Sequence, residues 1–371
     1  MRPDGASCEH TLASRKTLGE LRKEIDAIDQ RLVSLVSRRA KVAQRIGEAK
    51  TSRSKGVLDV GRERAVLRAV REANADGPLT DEAMEAIFRE IISACRASQQ
   101  PTSVAFLGPE GTFSHAAALK QFGRTGEFHP VDTISDVFTE VEAGRARYGV
   151  APIENTTEGA VTPTLDALAR TTLQITAEVV VKVDHYLMAG DPSSSAIQRI
   201  VSHPQPLAQC RHYLAEKYPG IELQETASTA AAAQIAAEEK GTAAIASRIA
   251  AEQYGLEIVA RSIQDQAGNV TRFIVVGDAA KSRPTGEDRT SLCVSVHDEV
   301  VVLGRILSPF TANRVNLSMI ESRPLPGRPW EYSFFIDIGG HESETKVRRA
   351  LTELAEHAIG VKVLGSYPVA S

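Results

Sequence analysis

Val104-Ala105-Phe106-Leu107, running into Gly108-Pro109-Glu110-Gly111-Thr112-Phe113-Ser114, decides how most of this chain is read. A short apolar run stops at a polar loop with two glycines, and the loop opens an alanine-rich helix over Ser114 to Phe122. The texture returns at Tyr148 to Ala151 before Pro152-Ile153-Glu154-Asn155-Thr156-Thr157, and at Ile200 to Val201 before Ser202-His203-Pro204-Gln205-Pro206. Ala243 to Ala246 is another such run, and Thr271-Arg272-Phe273 opens a last one that ends at Val276. Short β runs alternating with helices such as Thr229 to Glu239 are the α/β pattern. Ligands of open α/β sheets bind in the crevice beyond strand ends. Four polar loops in that setting predict one convergent pocket, between two lobes like those of periplasmic solute-binding proteins.

Outward from this α/β segment, assigned to residues 103–281, the character of the sequence changes on both sides. Gln99-Gln100-Pro101-Thr102-Ser103 is a polar break, and residues 1–100 before it read as helical. Leu21, Ile25, Ile28, Leu32, Leu35, Val42 and Ile46 recur at three- and four-residue steps behind a capping-box pair, Thr17 and Glu20. A helix from there to Lys50 is about 50 Å long, too long to bury its stripe against itself. Helices near Asp59 to Ala73 and after Thr80 follow, split by Asp76-Gly77-Pro78. Such an elongated hairpin has little core, so a homodimer or higher homo-oligomer is the expected completion. After the charged linker Lys281 to Arg289, residues 289–371 read strand, helix, strand, strand, helix, strand, the order of a ferredoxin-like α+β module.

The 371 residues are 42% hydrophobic and 24% charged, a soluble multidomain composition. No apolar run approaches the roughly 20 residues of a membrane span, and residues 1–14 lack a signal-peptide core, so no membrane partner and a cytoplasmic location are expected. Cys8, Cys95, Cys210 and Cys293 are dispersed, without metal-ligand spacing, which predicts neither disulfides nor a metal. A net charge of -4 gives no general pull towards nucleic acid.

The basic residues of the helical segment are nevertheless arranged. Eleven residues at 100° each put Arg39 and Lys50 within about 20° of one face and about 16 Å apart along the axis, a gap two long side chains close around a small molecule. Arg22 lies about 25 Å from Arg39 and roughly 100° round, so it joins that site only from a second, antiparallel chain. Asp59, Arg62 and Glu63 share a face of the next helix, as Cys95 and Gln99 do on the third.

Leu21-Arg22 with Ile25 and Asp29, Arg39, Gly47-Glu48-Ala49-Lys50, and Asp59 with Arg62-Glu63-Arg64 resemble the all-helical chorismate mutase domain that opens the bifunctional P-proteins of phenylalanine biosynthesis. The resemblance implies that Arg39 and a partner-chain Arg22 clamp the carboxylates of chorismate, and that Lys50 and Gln99 bond its ether oxygen. Glu63 would hold the ring hydroxyl, with Asp59 and Arg62 completing the wall. Negative charge grows on the ether oxygen as the C–O bond breaks, and fixed donors aimed at it lower the barrier without a nucleophile, metal or cofactor. Cys95 stands where some relatives have serine.

Residues 104–277 resemble the family's prephenate dehydratase domain through GPEGTFSHAAA, PIENTTEG, SHPQPLAQC and VTRF. Prephenate loses hydroxide and carbon dioxide on its way to phenylpyruvate, so the site needs a proton donor at the ring hydroxyl, groups for the carboxylates, and an apolar wall. We assign Thr271 to the hydroxyl, with Glu154 as the rival acid, and Arg272 to loop support or a carboxylate. Asn155, Ser202 and Gln209 are expected to hold substrate, joined by amides of Gly111 to Ser114 at a helix start. His115 and His203 are expected to be structural.

The last segment resembles an ACT module. Asn316 and Leu317 with Glu321-Ser322-Arg323-Pro324 match a pattern that implies an L-phenylalanine effector. Two departures stand out: Val301-Val302-Leu303 replaces Gly-Ala-Leu, and Arg314 occupies a glycine position. Both predict a narrowed pocket. A ligand-responsive DNA-binding regulator is the competing class, but DNA readers place a short recognition helix after a tight turn, and the first helix here is very long.

Overall fold

The structure is a computed structural model that describes residues 16–51, 58–193, 197–278, 282–297, 300–324 and 332–370, with the side chains of residues 50 and 51 outside that description. Its first helix, α1 (Leu18–Thr51), starts as the sequence dictates: Thr17 N donates to Glu20 Oε2 at 2.7 Å and Glu20 N to Thr17 Oγ1 at 3.3 Å. Asp59 caps α2 (Val60–Asn74) and Thr80 caps α3 (Asp81–Ala97), each accepting a backbone N–H of the first turn. The carboxyl end of α1 packs on α3: a Cβ added to Gly47 would lie 3.1 Å from the Gln99 side chain.

Two lobes follow. The first is built on the order β2 (Glu127–Val131), β1 (Ser103–Leu107), β3 (Tyr148–Asn155), β11 (Val270–Gly277), β5 (Gln174–Lys182), with β4 (Gly159–Ala160) paired to β3. β1 runs parallel to β2 and β3, whereas β11 is antiparallel to both neighbours. Helices α4 (Phe113–Phe122), α5 (Ile134–Glu142) and α6 (Thr162–Arg170) pack on it. The second lobe has the order β10 (Glu257–Ala260), β6 (Tyr186–Ala189), β9 (Thr242–Ala246), β7 (Arg199–Ser202), β8 (Glu222–Glu225). Its helices are α7 (Pro204–Gln209), α8 (Arg211–Lys217), α9 (Thr229–Glu238) and α10 (Arg248–Tyr254). The chain crosses between lobes twice, at 183–185 and again at 261–269.

The third unit is a sheet ordered β13 (Leu317–Pro324), β14 (Tyr332–Gly339), β12 (Asp288–Val296), β15 (Gly360–Pro368), with α11 (Val302–Ala312) and α12 (Thr345–Ala355). It does not hang free. Successive side chains of a strand face opposite ways, and β11 uses both faces: Phe273 and Val275 pack with Phe106, Phe122 and Tyr148, while Ile274 and Val276 join a core that includes Phe335, Leu364 and Tyr367 of the third sheet. β15 comes so close to β5 that a side chain at Gly365 would collide with the Ile175 carbonyl.

Candidate active sites

Alternation along β11 also sorts the expected dehydratase residues. Thr271 lies opposite Asn155 and Arg272 opposite Glu154, so the first pair shares one face of the sheet and the second pair the other. On the first face Asn155 Nδ2 donates to Thr271 Oγ1 and to Asn269 Oδ1, both at 2.8 Å. Asn155 Oδ1 accepts the amides of Thr157 at 2.9 Å and Glu158 at 3.2 Å, which fixes which way the amide points. Thr271 therefore receives a hydrogen bond while buried, and that bond does not use its own O–H.

Arg272 and Glu154 lie together on the opposite face. Arg272 is buried among carboxylates: Nε lies 3.1 Å from Glu154 Oε2, Nη1 3.4 Å from Glu178 Oε2, and Nη2 2.8 Å from Asp337 Oδ2 of β14. The last is a charge contact off the hydrogen-bonding direction. Arg289 Nη1 joins Glu178 at 2.8 Å. Burial opposes the Arg272 charge, but the acidic neighbours outweigh it and hold its pKa above the ordinary value. Its guanidinium is thus spent on Glu154, Glu178 and the contact with the third sheet. Glu154, held by Arg272, is on the face away from Thr271.

The two lobes touch between the Gly108–Ser114 loop and α10 with its cap Ser247. Ser247 Oγ donates to the Gly111 carbonyl at 2.7 Å, and Gln253 Nε2 to Glu110 Oε2 at 2.7 Å. Gly111, at φ +86°, permits the approach, since a Cβ there would lie 3.3 Å from Ala250 Cα. Its N–H donates to His115 Nδ1 at 3.1 Å and is not a vacant anion donor. His115 stacks on Phe106 and is held below the usual histidine pKa by burial. His203 caps α7 through Gln205 N, so both histidines have packing or capping roles here. Ser202 is wholly buried and donates to the Ile245 carbonyl at 2.6 Å, which leaves it no hydroxyl hydrogen for a ligand. Gln209 Oε1 lies 2.7 Å from Nε2 of His185, a buried residue of the first crossover that the sequence reading missed.

In the helical segment, Asp59, Arg62 and Glu63 line a cavity of about 1760 Å³ between the end of α1, helices α2 and α3, and β5. Asp59 Oδ1 accepts Arg62 N at 3.0 Å. Glu63 Oε1 lies 3.3 Å from Nε of Arg96, a buried arginine set over the Phe122 ring. Gln99 Nε2 donates to the Cys95 carbonyl at 3.4 Å, and its Oε1 is buried without a hydrogen-bond partner. Arg39 is half-buried on α1 and Arg22 is exposed near the far end of the same helix; Lys50 has its backbone in the last turn, its side chain lying outside the described residues.

Family models for chorismate mutase type II, prephenate dehydratase and the ACT domain match residues 21–100, 104–281 and 290–356. A protein of Aquifex aeolicus named bifunctional chorismate mutase/prephenate dehydratase is 43% identical over 356 residues, covering 95% of this chain and 98% of that protein. This chain belongs to the bifunctional chorismate mutase/prephenate dehydratase family. Among solved structures, the prephenate dehydratase of Arthrobacter aurescens, determined in complex with L-Phe, is 38% identical with a TM-score of 0.65, over 72% of this chain and 89% of that one. GqqA, described as a novel type of quorum quenching acylase, is 31% identical with a TM-score of 0.66, over 72% of this chain and 98% of that one.

In the ACT segment, the two departures are visible in the backbone. Val301 has φ 69° and Arg314 φ 54°, so a β-branched residue and an arginine hold the left-handed conformation that glycine adopts without steric cost. Val301 is 67% exposed, so within one chain the departure appears as backbone strain and not as a filled cavity. Asn316 accepts Gly339 N at 2.8 Å, and Leu317 lies opposite Ile338. Glu321, Ser322 and Pro324 continue β13, opposite Phe335, Phe334 and Tyr332. Arg323 reaches Asp166 of α6 at 3.1 Å, which spends it on the dehydratase contact.

Proposed function

We propose that this chain carries two separate catalytic sites, one on its helices and one between its lobes. It is an enzyme of phenylalanine biosynthesis that rearranges chorismate to prephenate and then dehydrates and decarboxylates prephenate to phenylpyruvate. The observation that carries this reading is that relatives with both activities in their name match almost the whole chain, helices and lobes together.

At the mutase site Arg39, Lys50, Asp59, Arg62, Glu63 and Gln99 act with Arg22 of a second copy in a homodimer. The exposed apolar stripe of α1 supports that partner. At the dehydratase site Thr271 contacts the departing hydroxyl. Asn155 holds Thr271 as an acceptor, so the threonine O–H is turned to the substrate as a donor. The ordinary pKa of an aliphatic alcohol makes Thr271 a hydrogen-bond donor and relay for a water proton, not the net acid. Glu154 bonds Arg272 on the other face of the sheet, away from that hydroxyl. Gln209 binds a substrate carboxylate.

L-Phenylalanine is the proposed effector of the ACT segment, at Asn316, Leu317 and the Glu321–Pro324 strand, with weak binding because Val301 and Arg314 stiffen the turns a ligand must approach. A coupled assay of the purified chain tests the whole: chorismate must disappear and phenylpyruvate appear, with and without phenylalanine. Chorismate loss that halts at prephenate sinks the dehydratase reading. Micromolar phenylalanine binding with strong inhibition refutes the weak-effector reading.

A further inference from the structure

His185 lies on the first crossover between the lobes, 2% exposed, and is used by nothing in the mechanism above. Its backbone is pinned on both sides: its N–H donates to Gln264 Oε1 at 3.0 Å, and its carbonyl accepts Ile263 N at 3.0 Å. Gln264 Nε2 in turn donates to Asp184 Oδ1 at 2.8 Å, and Lys182 pairs with that same Asp184 oxygen at 2.9 Å. The ring meets Phe113 of the Gly108–Ser114 loop edge-on, with centroids 6.0 Å apart. It therefore sits where the first lobe's loop, the crossover and α7 come together. Nε2 is 2.7 Å from Gln209 Oε1, and Nδ1 is buried without a partner.

That orphan nitrogen decides the tautomer. An unpaired buried N–H is rarer and more costly than an under-used acceptor, so the proton belongs on Nε2, where Gln209 Oε1 accepts it, and Nδ1 keeps a bare lone pair. Burial lowers the pKa of the ring, in keeping with a neutral imidazole. With its oxygen drawn to His185, the Gln209 amide must direct its N–H2 end away from the buried ring. An uncharged donor has set a freely rotating amide to present donors only, which is the chemistry a carboxylate selects.

We propose that His185 is a positioning residue for prephenate binding, which locks the Gln209 amide with its N–H2 group towards a substrate carboxylate. The inference rests on the reading of Gln209 as a carboxylate ligand. It is tested by dehydratase kinetics on the full chain with prephenate, using His185→Phe, His185→Asn, Gln209→Leu and the double variant His185→Phe/Gln209→Leu. Mutase rate and cooperative unfolding serve as controls for folding. His185→Phe and Gln209→Leu are each expected to raise KM about ten-fold, the loss of one hydrogen bond to a charged group, with kcat within about two-fold. The double variant is expected to be no worse than either single one, because both remove the same contact. His185→Asn keeps an N–H donor and recovers part of the loss.

A normal KM in His185→Phe, a defect confined to kcat, or penalties that multiply in the double variant overturns the proposal. If Gln209→Leu itself binds prephenate normally, the assignment of Gln209 falls. If Gln209→Leu is impaired and His185→Phe is not, only the role of His185 falls. Should His185→Phe fail the folding controls, the same cycle is run with His185→Asn, and additivity with Gln209→Leu again refutes the coupling.

Discussion

Along α1, Leu21, Ile25, Ile28, Leu32 and Leu35 are 44% to 60% exposed, while on β11 every residue from Phe273 to Val276 is buried, on both faces of the strand. The difference is one of completeness. The lobes bury their core within one chain and draw the ACT sheet into it, so the groups around Thr271 are assembled here. The helices leave an apolar stripe that only another surface can cover, and Arg22 is held far from Arg39 by the rigidity of the helix that carries both. Residues on an element too long to fold back on itself cannot be gathered into one pocket by that element alone.

The largest expected effect concerns the self-contained half. Asp337→Ala removes a carboxylate from Arg272 and leaves a buried charge short of a partner, a change that typically costs about 3–5 kcal/mol. The urea midpoint of the lobes should fall accordingly, and an unchanged midpoint would mean that the ACT sheet is not part of their folding unit. Next is the incomplete half: Lys50→Ala should slow chorismate rearrangement about 100- to 1000-fold, the usual loss for a donor to a developing oxyanion, with prephenate dehydration retained. Arg22→Ala and Arg39→Ala, each inactive alone, should regain activity when their subunits are mixed, and failure despite proven subunit exchange would place the site within one chain.

Thr271→Ala should cost dehydration on the order of 100-fold and spare the mutase, with Thr271→Ser keeping a substantial part of the rate. Glu154→Gln is predicted to have a smaller effect than Thr271→Ala, and a collapse of turnover in a folded Glu154→Gln protein would return it to the role of acid. A smaller change sharpens the ACT side: Val301→Gly relieves a left-handed β-branched residue and should stabilise that unit by up to about 1 kcal/mol, read by thermal unfolding.

The smallest effect is one of pH. His115 and His185 have pKa values lowered by burial, so the unfolded chain takes up their protons first. Their contribution to stability is present above the unfolded value of about 6.5 and is lost as pH falls through the lower folded values. Urea midpoints of the lobes should decline below about pH 6.5, and His115→Gln should flatten part of the slope.

Much of this was legible before the fold was seen, because its signals are local. Thr17 and Glu20 announce the start of α1 within one turn, and the loops after Leu107, Ala151 and Val201 are marked by glycine, proline and asparagine where β runs stop. The period of two along Thr271-Arg272-Phe273 puts Thr271 and Arg272 on opposite faces of a strand, in keeping with separate roles for the two. The partners of Arg272 were not readable. Glu178 is 94 residues away, and Asp337 belongs to a different sheet whose docking no local pattern encodes. His185 escaped for a similar reason: a single imidazole on the crossover after β5 gains meaning only when α7 brings Gln209 beside it.

Val369 and Ala370, just beyond β15, tie separate parts of the fold together. Ala370 N donates to Glu178 Oε1 at 2.6 Å, and Arg64 of α2 bonds the Val369 carbonyl, so this segment touches the first lobe and the helices. A ribosome finishes both lobes before it reaches Asp337, and that long before Ala370. During synthesis Glu178 and Arg272 have at first only each other and Glu154 as charge partners. The central strand of the first lobe therefore has its full set of charge partners only once the third sheet has been made, which makes that sheet a part of the lobe's own interior.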